Sequence, residues 1–184
     1  MKQIIVYHRP EAKQIPGISQ QVLAFYQEAF DHMPHIARDW LERGLASPRL
    51  YLFFLLDEKQ VVLAAATFQL LADEGELLHF AVSPQRRRQG LGAFLLAQAL
   101  VHLEEQGLTR CFLEVRAHNI PAQALYESQR FKCIDQRKNY YQDNHEDAKV
   151  YLWERSTSDN NIGNRIKLWR NRCSNRYWWQ RDEV

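Results

Sequence analysis

The chain has 184 residues, enough for one domain with a substantial core, and its 46% hydrophobic and 25% charged content is ordinary for a globular protein. No apolar run approaches the ~20 residues of a membrane span, the N-terminal MKQIIVYHRPEAK is too briefly apolar for a signal-peptide core, and Cys111, Cys133 and Cys173 lack the spacing of a disulfide framework or zinc knuckle, which points to a reducing cytoplasm. The net charge is +2, yet from Arg155 onward seven basic residues face three acidic ones, so residues 1–154 carry −2 and the basic excess lies in the tail.

Residues 18–30 and 34–43 read as short amphipathic helices, the second closing at Gly44. His32 and His35 stand three apart with no third ligand nearby, so they read as surface histidines, and no metal is expected. The apolar runs 50–56 and 61–70 flank Asp57-Glu58-Lys59-Gln60 and predict an antiparallel hairpin. The polar Asp73-Glu74-Gly75-Glu76 predicts a turn into a third strand over 77–82. A helix follows over 90–107, with Leu96, Leu100 and Leu103 at helical spacing and Gly107 as its stop. Then come a strand over 110–116, a short helix over 119–128, and strands near Phe131 and over 148–154. The order implies an α/β fold without repeats.

Between the third strand and the long helix lies RRQGLG, residues 87–92, preceded by Arg86. Glycine there bares backbone N–H groups, arginine brings positive charge, and the start of a helix adds the positive end of its dipole; together they suit a phosphate. The alternative is a tight turn under a solvated arginine cluster. The dinucleotide fingerprint fails because Leu95 stands at its third glycine, and the G-K-[ST] of a P-loop is absent.

Arg87-x-x-Gly90-x-Gly92 is an [RQ]-x-x-G-x-[GA] acyl-CoA signature, and the stretch from Leu77 to Trp153 resembles the GNAT N-acetyltransferases. AVSPQRRRQGLGAFLL, LEVRAHNIPAQALYES and RKNYY followed by EDA are similar to the RimI-type branch, whose members acetylate the N-terminal alanine of a small-subunit ribosomal protein. The resemblance implies a mixed central sheet whose parallel strands splay at an acetyl-CoA site, flanked by helices. It places the coenzyme A pyrophosphate on the N–H groups of Arg88, Gln89, Gly90, Leu91, Gly92 and Ala93, and the pantetheine arm along the backbone of Phe80, Ala81 and Val82. It makes Asn119 a hydrogen-bond partner of that arm, where the bare residue pattern reads it as a helix N-cap. It also implies Glu114 as the base that neutralises the attacking amine, the Val82 N–H as oxyanion donor, and Tyr126 as the acid protonating the leaving thiolate. Without the resemblance, Glu114 reads as a solvated strand residue and Tyr126 as core packing.

Two departures from the family pattern stand out. Arg130 replaces the glycine usual before the phenylalanine after the tyrosine helix, at a left-handed turn where an ordinary residue costs about 1 kcal/mol. DHMPHIARDW replaces the family's Phe-Pro-Trp-Ser stretch, which shapes the acceptor site. The acceptor is therefore expected to be a protein N-terminus or a small amine. A non-catalytic acyl-CoA-binding or ribosome-associated module is a third reading, opposed by the presence of both Glu114 and Tyr126. The expected domain spans 1–154. The tail over 155–184 has Ile162, Ile166, Trp169, Cys173 and Tyr177 at helical spacing among arginines, a pattern for a basic amphipathic helix that could contact the ribosome, dock on its own domain or stay disordered.

Overall fold

The computed structural model describes residues 3–8, 24–26, 28–29 and 47–155. The predicted helix over 34–43, His32, His35 and the tail from Ser156 lie outside these residues. Seven strands form one sheet: β1 (Gln3–His8), β2 (Leu50–Leu56), β3 (Val62–Leu71), β4 (Glu74–Val82), β5 (Arg110–Arg116), β6 (Lys132–Tyr141) and β7 (Glu146–Glu154). Their spatial order is β1-β2-β3-β4-β5-β7-β6. All neighbours are antiparallel except β4 and β5. Helices α1 (Leu91–Glu105) and α2 (Ile120–Ser128) follow β4 and β5. Ala24, Phe25, Tyr26, Glu28 and Ala29 are helical, inside the first predicted helix.

The sheet is covered on both faces, which explains why β2 and the first half of β3 read as unbroken apolar runs. In β2 every residue but the half-buried Leu50 is buried. One face carries Tyr51, Phe53, Phe68, Phe80, Val82, Cys111, Leu113 and Val115, packed against Leu95, Leu96, Ala99 and Leu103 of α1 and Ala122 and Tyr126 of α2. The opposite face receives the helical segment around Tyr26, whose hydroxyl lies 3.1 Å from Thr67 Oγ1 and whose ring meets that of His79 edge-on at 6.4 Å. The crossover through α1 returns the chain beside β4 in the same direction, as a right-handed β-α-β unit does.

The turn after β2 is as expected: Asp57 Oδ1 accepts from the N–H groups of Lys59 (2.8 Å) and Val61 (2.9 Å), and Gln60 takes φ 61°. The next turn is shorter than the sequence suggests. Glu74, Gly75 and Glu76 belong to β4, paired with Leu71, Leu70 and Gln69 on one side and with Arg110, Cys111 and Phe112 on the other, and Ala72-Asp73 alone reverses the chain. Pairing on both sides of the strand outweighs the turn propensity of these polar residues.

Both helices end in the same device. After α1, the Leu108 N–H donates to Leu103 O (2.9 Å) and the Gly107 N–H to Glu104 O (3.0 Å), with Gly107 at φ 95°. After α2, Phe131 N–H donates to Tyr126 O (3.1 Å) and Arg130 N–H to Glu127 O (3.0 Å), with Arg130 at φ 69°. These are Schellman motifs, which call for a left-handed residue at the first position past the cap. Phe131 then packs on Tyr126, ring centroids 5.9 Å apart, and supplies the accompanying apolar contact.

Candidate active site

The parallel pairing of β4 and β5 lasts only for Glu74, Gly75 and Glu76 opposite Arg110, Cys111 and Phe112. Beyond it β5 continues along β7 to Arg116, while β4 continues along β3 to Val82. A register shift explains the parting: Thr67 faces His79 but Phe68 faces Leu77, so Leu78 is an extra residue that bends and twists β4. A notch thus opens between Leu77–Val82 and Leu113–Arg116, with no ladder partner across it among the described residues.

Ser83 N–H donates back to Leu63 O of β3 (2.9 Å). Because the peptide groups of a strand alternate in direction, those of Val82 and Phe80 face away from β3 and into the notch, and those of Ala81 between them face β3. The Arg87 guanidinium Nε donates to Val82 O (3.3 Å) and ties the loop to the end of β4.

That loop makes a 3-10 turn over Pro84–Arg86, then passes through Arg88 at φ 61° and Gly90 at φ 74°. Two left-handed residues in three positions curl the backbone into a concave run of N–H groups. None of the N–H groups from Arg88 to Ala93 has an acceptor among the described residues; the first bond of the helix is Phe94 N–H to Gly90 O (3.0 Å). Gly90 is also the N-cap of α1 and provides no side-chain acceptor. A Cβ on Gly90 would meet nothing within 4 Å, so the space before the loop is open. A Cβ on Gly92 would lie 3.3 Å from Phe80 and Val82, so this glycine lets α1 start close against β4. Free amides, the positive helix end and the exposed Arg86 and Arg88 together make an anion cradle.

Glu114 and Tyr126 flank the notch from opposite faces of the sheet. Leu113 and Val115 point into the α1/α2 core, so Glu114 between them points to the face shared by Phe112, and is only 5% exposed. Its Oε1 forms an ion pair with Arg137 Nη1 of β6, and Oε2, also buried, has no hydrogen-bond partner. Burial raises the Glu114 pKa above the usual carboxylate range, with Arg137 and the approach of the Tyr140 hydroxyl opposing it. That shift moves the group towards what a general base near neutral pH needs. Tyr126 is 1% exposed and ringed by Phe80 (6.3 Å), Phe131 (5.9 Å) and Tyr151 (6.4 Å). Its ring is therefore core, in contact with the residue whose backbone opens into the notch. Asn119 is the N-cap of α2, its Oδ1 accepting from Ala122 N–H (3.2 Å).

Three residues around this site were not singled out in the sequence. Arg137 and Tyr140 reach Glu114 from β6, where a register shift between Arg137 and Tyr141 displaces the strand. His79 lies on the face of β4 that meets Tyr26, 5% exposed, its pKa pushed down to about 3 by burial, so it is neutral at physiological pH. The RKNYY motif contained two of these residues but gave no hint of what they touch.

A notch in a parallel pair, closed at one end by a cradle of free amides, is the architecture of an acyl-CoA-dependent acyltransferase. The profile of the Acetyltransferase (GNAT) family matches residues 17–131. The ribosomal protein bS18-alanine N-acetyltransferase of Escherichia coli K12 is 42% identical over 115 residues, 60% of this chain and 78% of that one. The enzyme of the same name in Haemophilus ducreyi is 40% identical over 91 residues, 50% and 63% of the two chains. The solved structure of the ribosomal-protein-S18-alanine N-acetyltransferase from Escherichia coli matches at a TM-score of 0.72 and 30% identity, covering 88% of this chain and 99% of that one. NAA60 of Arabidopsis thaliana, solved in complex with acetyl-CoA, shares the fold at a TM-score of 0.69 and 14% identity, over 85% of this chain and 100% of its own. The chain belongs to the GNAT acetyltransferase family, and is an acetyl-CoA-dependent N-acetyltransferase.

Proposed function

We propose that the acceptor is the N-terminal α-amine of a protein, and that a ribosomal protein beginning with alanine, as named for the relatives, is the first candidate. The observation that carries this reading is the 42% identity to the ribosomal protein bS18-alanine N-acetyltransferase. The notch, where the N–H groups of Phe80 and Val82 lack ladder partners among the described residues, offers an extended acyl donor its place, with Glu114 on the other face. In this reading the pyrophosphate of acetyl-CoA lies on the amides from Arg88 to Ala93, the pantetheine arm runs along Phe80 to Val82 with Asn119 beside it, and the thioester reaches the level of Glu114 and Tyr126. An α-amine has a pKa of about 8 and is mostly protonated at pH 7. Glu114 takes its proton, the neutral nitrogen attacks the thioester carbonyl, the Val82 N–H steadies the oxyanion, and Tyr126 protonates the departing thiolate.

The test is acceptor competition. The protein and acetyl-CoA are incubated with peptides that begin with alanine or other residues, a lysine peptide with a blocked N-terminus, and free polyamines and aminoglycosides, and the products are weighed. A single acetyl group on the α-amine of the alanine peptides supports the proposal. Modification of the free amines alone overturns it in favour of a small-molecule acetyltransferase.

The same reading divides the chain into a catalytic domain over 1–154 and a basic tail over 155–184, with ribosomal RNA as the tail's polyanionic partner, in a reducing cytoplasm. Salt-sensitive ribosome binding that disappears on deletion from Ser156, with peptide acetylation unchanged, supports this division, since phosphate contacts release counterions. Loss of acetylation in a truncated protein that is still folded places the tail in the active site instead.

A further inference from the structure

The proposed base is already engaged. A carboxylate offers two oxygens, and in Glu114 they are treated unequally: Oε1 is paired with Arg137, and Oε2 is buried with no hydrogen-bond partner. Arg137 is itself held. Its guanidinium lies over the Tyr140 ring at 5.4 Å, and it sits where β6 slips in register against β7. Asp147 of β7 pins the slipped segment from below, accepting from Gln136 Nε2 (2.7 Å), Lys138 Nζ (2.6 Å) and the Asn139 N–H (2.9 Å), with Asn139 at φ 52°. A bulge stabilised in this way re-aims side chains rather than continuing a ladder, and what it aims is Arg137 and Tyr140.

We infer that Arg137 is a positioning residue for amine capture: by holding Oε1 of Glu114 it fixes the orientation of the carboxylate and leaves Oε2 as the oxygen that receives the amine proton. The inference rests on the reading of Glu114 as the base. A buried carboxylate without an anchor would rotate to find any donor, or take up a proton itself. With Oε1 committed to Arg137, the acceptor capacity that remains is shared between the nearby Tyr140 hydroxyl and the amine that arrives with the substrate. The proton balance is simple: the ammonium N–H bond breaks, an O–H bond forms at Oε2, and Arg137 stays charged throughout. Among the described residues, the ionisable groups that face Glu114 are Arg137 and Tyr140 of β6, with Glu76 of β4 beyond Tyr140; β7 presents Val150 opposite Glu114.

Arg137→Gln, Arg137→Lys, Glu114→Gln and the double variant Glu114→Gln/Arg137→Gln test this in the full chain. The first readout needs no acceptor: carboxyl NMR titration of Glu114. Arg137→Gln should move its midpoint to higher pH, and Arg137→Lys should return most of that shift; an unmoved midpoint overturns the inference. The second readout is kcat/KM against pH with the best acceptor of the competition panel. Arg137→Gln should lower it roughly 10-fold or more at pH 7, displace its acidic limb upward, and leave acetyl-CoA affinity unchanged, while Arg137→Lys rescues. In the Glu114→Gln background the arginine change should add little, because the two residues act as one unit. A full additive loss there overturns the coupling even if Glu114 is the base. A Glu114→Gln variant with an undiminished rate sinks the base assignment itself, and the titration still decides whether Arg137 sets the state of Glu114.

Discussion

Glu114 and Tyr126 are set on opposite faces of one sheet, and the notch between β4 and β5 is the opening between them. In the proposed mechanism Glu114 takes the proton from the attacking amine, whose nitrogen forms the new C–N bond, and Tyr126 protonates the sulfur as the C–S bond breaks. Tyr126→Phe keeps the ring that packs against Phe80, Phe131 and Tyr151 and removes only the hydroxyl. Turnover should fall by about 100-fold or more with little change in melting temperature. Glu114→Gln should be most harmful at low pH, and its deficit should shrink as pH rises past about 8, where the amine is neutral unaided. A normal rate for Tyr126→Phe with acetyl-CoA bound would return this residue to packing alone.

Gly90 and Gly92 predict different failures. Gly90→Ala puts a methyl into open space at φ 74°, so the fold should lose about 1 kcal/mol of stability from the left-handed backbone, while acetyl-CoA affinity falls because the methyl stands before the amide cradle. Gly92→Val drives side-chain atoms into Phe80, Val82 and Leu125, so it should destabilise the protein whether or not ligand is present. Calorimetry beside thermal melts separates the two, and unchanged affinity in Gly90→Ala would defeat the cradle assignment.

Arg130 occupies a position that its counterpart Gly107 fills without strain. Arg130→Gly should raise stability by about 0.5–1 kcal/mol, the relief of left-handed strain less the extra freedom glycine gains when unfolded. The reverse change, Gly107→Arg, should lower it by about 1 kcal/mol. Denaturant midpoints at constant slope measure both.

His79 ties stability to acidity. Its folded pKa lies at about 3, against 6.5 for the exposed group, so between these values the unfolded chain binds a proton that the native state refuses. The contribution of neutral burial is complete above pH 6.5 and is lost as pH falls towards 3, at up to about 1.4 kcal/mol per pH unit. Replacing His79 with asparagine should flatten the stability profile between pH 6.5 and 4. An equal slope in wild type and variant would assign the acid sensitivity to other groups.

Much of the fold was legible because its signals are local. The run over 50–56 became β2 and that over 110–116 became β5, residue for residue: the first is apolar throughout, and the second buries Cys111, Phe112, Leu113 and Val115 in the sheet around Glu114, between two half-buried arginines. The α1 and α2 segments announced themselves by spacing and by Gly107. The strain at Arg130 was visible as a departure from a glycine, and the structure places that residue at φ 69°. What the sequence did not disclose depends on register. Glu74 and Glu76 look like turn residues until β5 is known to lie beside them, and nothing in RKNYY states that a slip of β6 against β7 brings Arg137 to Glu114, 23 residues earlier. Even Asn119, expected as a cap or a ligand contact, was resolved only for the cap.

Sheets ordinarily show raw backbone edges at their two outermost strands, but the extra residue at Leu78 opens one in the interior, bordered by Phe80 and Val82. With the Val82 carbonyl already tied to Arg87, that inner rim is richer in donors than in acceptors. It is a template for any extended chain with carbonyls to offer, and such templates invite self-association. If acetyl-CoA lies along this rim as proposed, it serves as a removable strand, and the protein's keeping qualities become a function of the co-substrate concentration. At a hundredfold excess over Kd a ligand adds about 2.7 kcal/mol to the folded state, so a preparation stripped of acetyl-CoA should melt earlier and aggregate sooner than one stored with it.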